Sequence, residues 1–292
     1  MRFRSFLILL PLLLSTTPKE VDAAPHPMTM AFIDVGQGDA TLIRDGNGYD
    51  ILVDGGRKSA GESILSYMQQ VGVDDLEVVL ATHADSDHIG GLIAVIEGGD
   101  IPVENVYYNG YPGDTQTWSD FSAAVDAEGL SLIPAQFPQN FNWGSLNIQV
   151  LNPLSGLSDP DQNEASIVLL IDYAQVTALL PADVDSGVEE LLSHRVPSLQ
   201  AEILKVPHHG SEYSSSQSFL GEIQPQEAII SVGQNPYGHP ASETLSRLTN
   251  TDAHIWRTDF HGTILVSSDG ESYQMLPRIT FLPLSLRRLF TH

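Results

Sequence analysis

The chain has 292 residues, 42% of them hydrophobic, enough to bury a core in one large domain or two small ones. Its formal net charge of −24 gives a surface that repels polyanions. That counts against tight non-specific nucleic-acid binding, which needs Lys and Arg at the phosphates. With no Cys, the chain forms no disulfide, has no thiol nucleophile and offers no site for lipoprotein attachment.

Residues 1–23 read as a secretory signal peptide. Arg2 and Arg4 precede an apolar run over residues 6–14, too short to span a bilayer, and Val21-Asp22-Ala23 offers a small-residue cleavage site. This predicts a secreted or periplasmic protein with no transmembrane segment in its mature chain. The mature part divides into a folded domain over residues 24–276 and an apolar, basic tail over 277–292, expected to dock on the core or on a membrane surface, or to stay disordered.

From Met28, alternating apolar residues predict a strand, then the turn Asp34-Val35-Gly36-Gln37-Gly38-Asp39, then a strand over 41–44. Alone, that turn reads either as a chain reversal or as a phosphate-cradling loop. A short strand over 49–53 ends in Asp54-Gly55-Gly56, and residues 63–71 place their apolar side chains on one helical face. The β-prone run 76–80 is a buried strand delivering Thr82-His83-Ala84-Asp85-Ser86-Asp87-His88. Four imidazole or carboxylate side chains on one loop after a buried strand suit a divalent transition metal, with donors enough for two ions.

A helix over 89–97, a strand over 101–109, a helix over 118–128 and strands over 130–134 and 146–151 follow. Phe137, Phe141 and Trp143 read as core or flap packing rather than a cleft lining. Apolar strands over 166–172 and 176–180 lead to Asp183 and Asp185, either of which fits as a cap for a helix over 187–195. A strand over 201–206 delivers Pro207-His208-His209-Gly210-Ser211. Then come a helix over 214–223, a strand over 227–232, a loop holding Tyr237 and His239, a helix over 242–250, and strands over 255–258, 263–267 and 272–276. Strands and helices thus alternate in two halves, 28–151 and 166–276, which predicts two packed sheets with helices outside.

The stretch 83–88 resembles the His-Xaa-His-Xaa-Asp-His signature of the metallo-β-lactamase superfamily, with Asp85 in place of the second histidine. That variant looks like the nuclease-like domain of ComEC-type competence proteins and their stand-alone secreted relatives. So do Asp-Val-Gly-Gln-Gly-Asp at 34–39 and Asn-Pro-Tyr-Gly-His-Pro at 235–240. The resemblance implies an α/β fold, a four-layer αββα sandwich in a single domain. It implies His83, Asp85, Asp87, His88, Asp183 and His208 as ligands of one or two divalent ions, zinc or manganese, with Asp183 bridging two. Asp54 is implied to orient the ligand loop. Asp39, Asn163, His209, Ser211, Tyr237 and His261 are implied as orienting or substrate-binding residues. Two departures stand out. No histidine lies between His88 and Asp183, where Asn163 takes the usual place, and His261 stands where an Asp is commoner.

A bound ion lowers the pKa of its water to about 7, so attack by metal-bound hydroxide is the expected mechanism. Asp85 or Asp87 orients the nucleophile, and His239 with Tyr237 contacts phosphate or donates a proton. The resemblance implies a phosphodiesterase or nuclease, with a phosphodiester such as DNA as substrate and no stable nucleic-acid complex. Two other readings stay open: a hydrolase of a small ester or lactam, and a non-catalytic metal-binding module of the envelope. Oligomeric state is not written in the sequence.

Overall fold

The computed structural model describes residues 27–276. The expected signal peptide and C-terminal tail lie outside the described residues. Chain order begins with β1 (Met28–Phe32), β2 (Thr41–Arg44), β3 (Asp50–Val53), α1 (Gly61–Val71), β4 (Leu76–Ala81), α2 (Ser86–Ile89) and α3 (Leu92–Glu97). It continues through β5 (Val103–Tyr108), α4 (Gln116–Ala127), β6 (Leu132–Pro134), β7 (Asn140–Trp143), β8 (Leu146–Asn152), β9 (Val168–Tyr173) and β10 (Val176–Leu180). Then come α5 (Ser186–Arg195), β11 (Ile203–Lys205), α6 (Gln217–Ile223), β12 (Glu227–Ile230), α7 (Ser242–Thr249), β13 (His254–Arg257), α8 (Thr258–His261), β14 (Ile264–Ser268) and β15 (Tyr273–Leu276).

The strands form two sheets, ordered β15-β14-β1-β2-β3-β4-β5-β6 and β13-β12-β11-β10-β9-β8-β7. The period-two alternation of side chains sorts each strand between layers. Val78 and Leu80 of β4 meet Ala178 and Leu180 of β10 between the sheets, whereas Val79 and Ala81 face α1, α3 and α4. On the second sheet Ile203 points inward, and Leu204 points outward to α5, α6 and α7. The outcome is helix, sheet, sheet, helix, the four layers expected. Among the described residues no helix is long and apolar enough to cross a membrane.

Three local expectations are corrected. The two-half division fails because β14 pairs antiparallel with β1 and so returns the C-terminal strands to the first sheet. β7 and β8 join the second sheet through β9. The helix expected over 89–97 is interrupted at Gly90-Gly91, where a Cβ on Gly91 would lie 2.0 Å from the Gly55 carbonyl oxygen. Two of the three aromatics pack in the inter-sheet core: Phe141 stacks on Trp143 at 4.6 Å between ring centroids, with Tyr107 against both.

Leu80 is fully buried one residue from the end of the strand that carries the His83 loop. Leu80→Ala should cost about 2–5 kcal/mol, read as a lower midpoint in chemical denaturation with an unchanged slope.

Candidate metal centre

One end of the sandwich collects the loops that follow β3, β4, β10 and β11. β4 leads to His83 and to α2, whose N-cap is Asp85 and which carries Asp87 and His88. β10 leads to Asp183, and β11 to a 3-10 turn over Pro207–Gly210 holding the histidine pair. Half of the cluster therefore hangs from each sheet.

His83, His88, Asp183 and His209 are all buried. The His83 and His88 rings are 4.0 Å apart, and those of His88 and His209 5.4 Å. Nε2 of His88 lies 3.3 Å, and Nε2 of His209 3.4 Å, from Asp183 Oδ2. Asp87 Oδ2 is 3.9 Å from His209 Nε2, and Asp85 Oδ2 is 3.7 Å from His83 Nε2. Single donor atoms of His83, His88 and Asp183 fall within 4.8 Å of one another, as do those of Asp39, Asp183 and His209.

The other nitrogen of each buried ring is pinned. Thr82 Oγ1 is 3.0 Å from His83 Nδ1, Asp54 Oδ2 is 2.8 Å from His88 Nδ1, and the Ser231 carbonyl is 3.0 Å from His209 Nδ1. Asp54 also accepts from the backbone N–H and hydroxyl of Thr82, at 2.8 and 2.7 Å. Nε2 of all three rings and Oδ1 of Asp183 are buried and make no hydrogen bond among the described residues. Polar atoms in such a place normally find a partner, because leaving them unpaired costs about 1–3 kcal/mol each. Three rings locked through Nδ1, with Nε2 converging on a carboxylate, fit a divalent cation.

The histidine pair is arranged in the reverse of the expected order. His209 is buried and aimed at Asp183, whereas His208 is half-buried at the rim, its Nε2 3.8 Å from Asp183 Oδ2. Both take left-handed backbone angles, φ 51° and 53°, which turn consecutive side chains in unlike directions. His239 stands beyond His208 at 5.5 Å between rings, and exposed Tyr237 beyond His239 at 5.7 Å. Asn163 Oδ1 is buried and has no hydrogen-bond partner among the described residues. The neighbouring Gln162 accepts the Ala84 N–H of the His83 loop at 3.0 Å. Two expected residues point elsewhere. Ser211 Oγ accepts the Tyr213 N–H, and His261 hydrogen-bonds the Arg257 backbone while its ring packs edge-on against Trp256.

Several supporting residues escaped the sequence reading. Arg247 donates to the carbonyls of Glu212, Ser214 and Ser215 at 2.8–3.0 Å, clamping the loop after the histidines. Glu189 accepts the Ser215 and Ser216 N–H groups. Lys205, the last residue of β11, is buried and ion-pairs with Asp39 at 2.8 Å. A lone lysine inside an otherwise apolar strand was the available signal for it.

Burial alone would lower the His209 ring, but the Asp183 and Asp39 carboxylates override it and hold its pKa at about 10. Burial likewise opposes His88, which Asp183 and Asp54 raise well above the ordinary range. Burial would raise Asp183, yet His209 and His88 bring it well below the usual carboxylate value. Asp85 is lowered by the His83 ring beside it, and His208 is lowered by burial. Without a metal, protons supply the positive charge that this carboxylate cluster calls for.

Residues 33–234 match the family described as the Metallo-beta-lactamase superfamily. The chain is 29% identical over 251 residues to ComE operon protein 3 of Bacillus subtilis, covering 80% of this chain and 32% of that protein. It is 30% identical over 241 residues to Recombination protein 2 of Haemophilus influenzae, covering 80% and 28%. It thus spans about a third or less of the length of these curated relatives. Among solved structures it resembles the metallo-β-lactamase fold protein YhfI of Bacillus subtilis, with TM-score 0.57, 14% identity, and coverage of 83% of this chain and 100% of that one.

A group whose pKa rises on folding stabilises the fold below its unfolded value. His209 moves from 6.5 to about 10, so its contribution is complete below pH 6.5 and lost as pH climbs through 10. The Tm of chelator-treated protein should fall over that window, and His209→Gln should flatten the fall. Arg247→Ala, which strands three carbonyls, should cost about 2 kcal/mol, or a Tm drop of roughly 4–8 °C.

Proposed function

This chain belongs to the metallo-β-lactamase superfamily, and on that premise we propose that it is a secreted, metal-dependent phosphodiesterase of nuclease type. The observation that carries the reading is the set of unpaired Nε2 atoms of His83, His88 and His209 around Asp183. In this reading His209 takes the ligand place expected of His208. Asp85 and Asp87 complete the set, and the orphaned Asn163 oxygen fills the place of the missing histidine. So many carboxylates make a hard donor set, which favours manganese alongside zinc. One or two such ions would polarise the electrophile and lower the pKa of an attacking water.

The chain's own residues supply the rest. Asp54 and Thr82 hold His88 and His83 in the tautomer that leaves Nε2 bare. Asp87, half-buried on α2, orients the attacking water through a carboxylate oxygen. His239 sits with its pKa near 4, lowered first by burial and then by His208 and His209. It is therefore neutral at pH 7, and it steadies a substrate oxygen by donating its N–H rather than by giving up a proton as an acid.

The names of the competence and recombination relatives support DNA as substrate. The net charge of −24 favours a small phosphodiester instead. The domain of residues 24–276 acts after export and removal of residues 1–23, in secreted or periplasmic form. Protein reconstituted with manganese or zinc should cleave bis-(p-nitrophenyl) phosphate. His88→Ala and Asp183→Asn should each lower kcat at least about 100-fold and release metal on dialysis. Turnover that survives both changes would sink this mechanism. A salt series on linear DNA separates the substrates, since cleavage of a polyanion by this acidic protein should rise with salt while small-ester cleavage should not.

A further inference from the structure

Lys205 is, among the described residues, the only Lys or Arg in the buried set. It shares the inward face of β11 with Ile203, so its side chain lies between the two sheets. A lysine there loses most of its hydration, a cost that a close carboxylate offsets. Its Nζ is 2.8 Å from Asp39 Oδ2 and donates to the Val206 carbonyl at 3.2 Å. Asp39 itself comes from the β1–β2 loop of the opposite sheet. Its backbone is fixed on two sides, with N–H to the Asp87 carbonyl at 3.2 Å and C=O from the Gly56 N–H at 2.7 Å. Gly38 allows this approach, since a Cβ there would lie 2.3 Å from the Asp87 carbonyl oxygen. Asp39 Oδ1, the oxygen that Lys205 leaves free, stands 3.2 Å from His209 Nδ1.

We propose that Lys205 and Asp39 form a positioning pair for His209, the ammonium holding the carboxylate so that its free oxygen faces Nδ1 and the ring presents Nε2 to Asp183. The inference rests on the metal-centre reading above and adds to it. Asp39 is close enough to the cluster to be drawn onto a cation itself. With Oδ2 tied to Lys205 it stays behind the ring instead of competing with it. The Nδ1 hydrogen bond goes to the Ser231 carbonyl at 3.0 Å, and Asp39 Oδ1, which makes no hydrogen bond among the described residues, adds a full negative charge behind the same nitrogen. The pair also couples the sheets, because a cation from β11 fixes the loop that holds α2. Neither residue touches the reacting atoms in this assignment.

The test is a cobalt(II) titration of metal-free protein, followed by the visible d–d absorption that reports ligand geometry. Lys205→Met leaves a buried carboxylate unpaired. The double variant Asp39→Asn with Lys205→Met leaves no net charge stranded and carries the experiment should the single one fail to fold. Both should bind cobalt about 10- to 100-fold more weakly and with an altered band pattern, even where the double variant keeps the wild-type Tm. A purely structural pair would move Tm and leave the spectrum and affinity of the folded fraction alone, which overturns the proposal. Cobalt uptake by wild type with unchanged affinity in the variants overturns only this inference. No uptake by wild type overturns the metal-centre reading with it.

Discussion

Asp183 and His209 hang from one sheet, His83 and His88 from the other, and a shared pocket exists only while the two sheets pack at one fixed offset. The inter-sheet layer imposes that offset. Phe32, Ile51, Val78 and Leu80 interdigitate with Ile148, Ile171, Ala178 and Ile203, all essentially removed from water. Close-packed interiors do not slide by fractions of a side chain. The apolar core is therefore what holds the imidazole nitrogens within a few ångström of the carboxylates, and the Lys205–Asp39 pair crosses the same gap beside the site.

The backbone around the cluster is held away from its relaxed conformations. Asp54, Ala182, His208 and His209 all take positive φ, between 51° and 58°, without being glycine. Such residues cost about 1–3 kcal/mol each and persist where the surroundings over-determine them. Here the surroundings are identifiable. The His208 N–H donates to the Ala182 carbonyl, Thr244 Oγ1 binds the Ser211 carbonyl, and Arg247 and Glu189 grip the loop that follows. Asp54 is held through its N–H to the Leu80 carbonyl and its side chain to Thr82. Strain at the site and clamping around it are parts of one arrangement that aims side chains a relaxed backbone would splay.

Electrostatics sharpen the same point. In metal-free protein His88 and His209 take up protons far more readily than free imidazole, because buried carboxylates face them. A cation bound there would displace those protons and would meet ligands already oriented. Metal loading would therefore be favoured as pH rises, the opposite sense to the stability of the empty fold.

Much of this was legible in residue order. The run of apolar positions ending in His83-Ala84-Asp85-Ser86-Asp87-His88 marked both a buried strand and its cargo, and the periodicities marked most strands and helices, because both depend on neighbours a few residues apart. The swap of β14 into the first sheet, the break at Gly90-Gly91 and the choice of His209 over His208 as the ring facing Asp183 depend on contacts between segments far apart in sequence. So does the Arg247 clamp. Residue types and local spacing determined which donors were present and at which strand ends. Their directions were decided by long-range packing and by backbone angles that packing enforces, which no local pattern encodes.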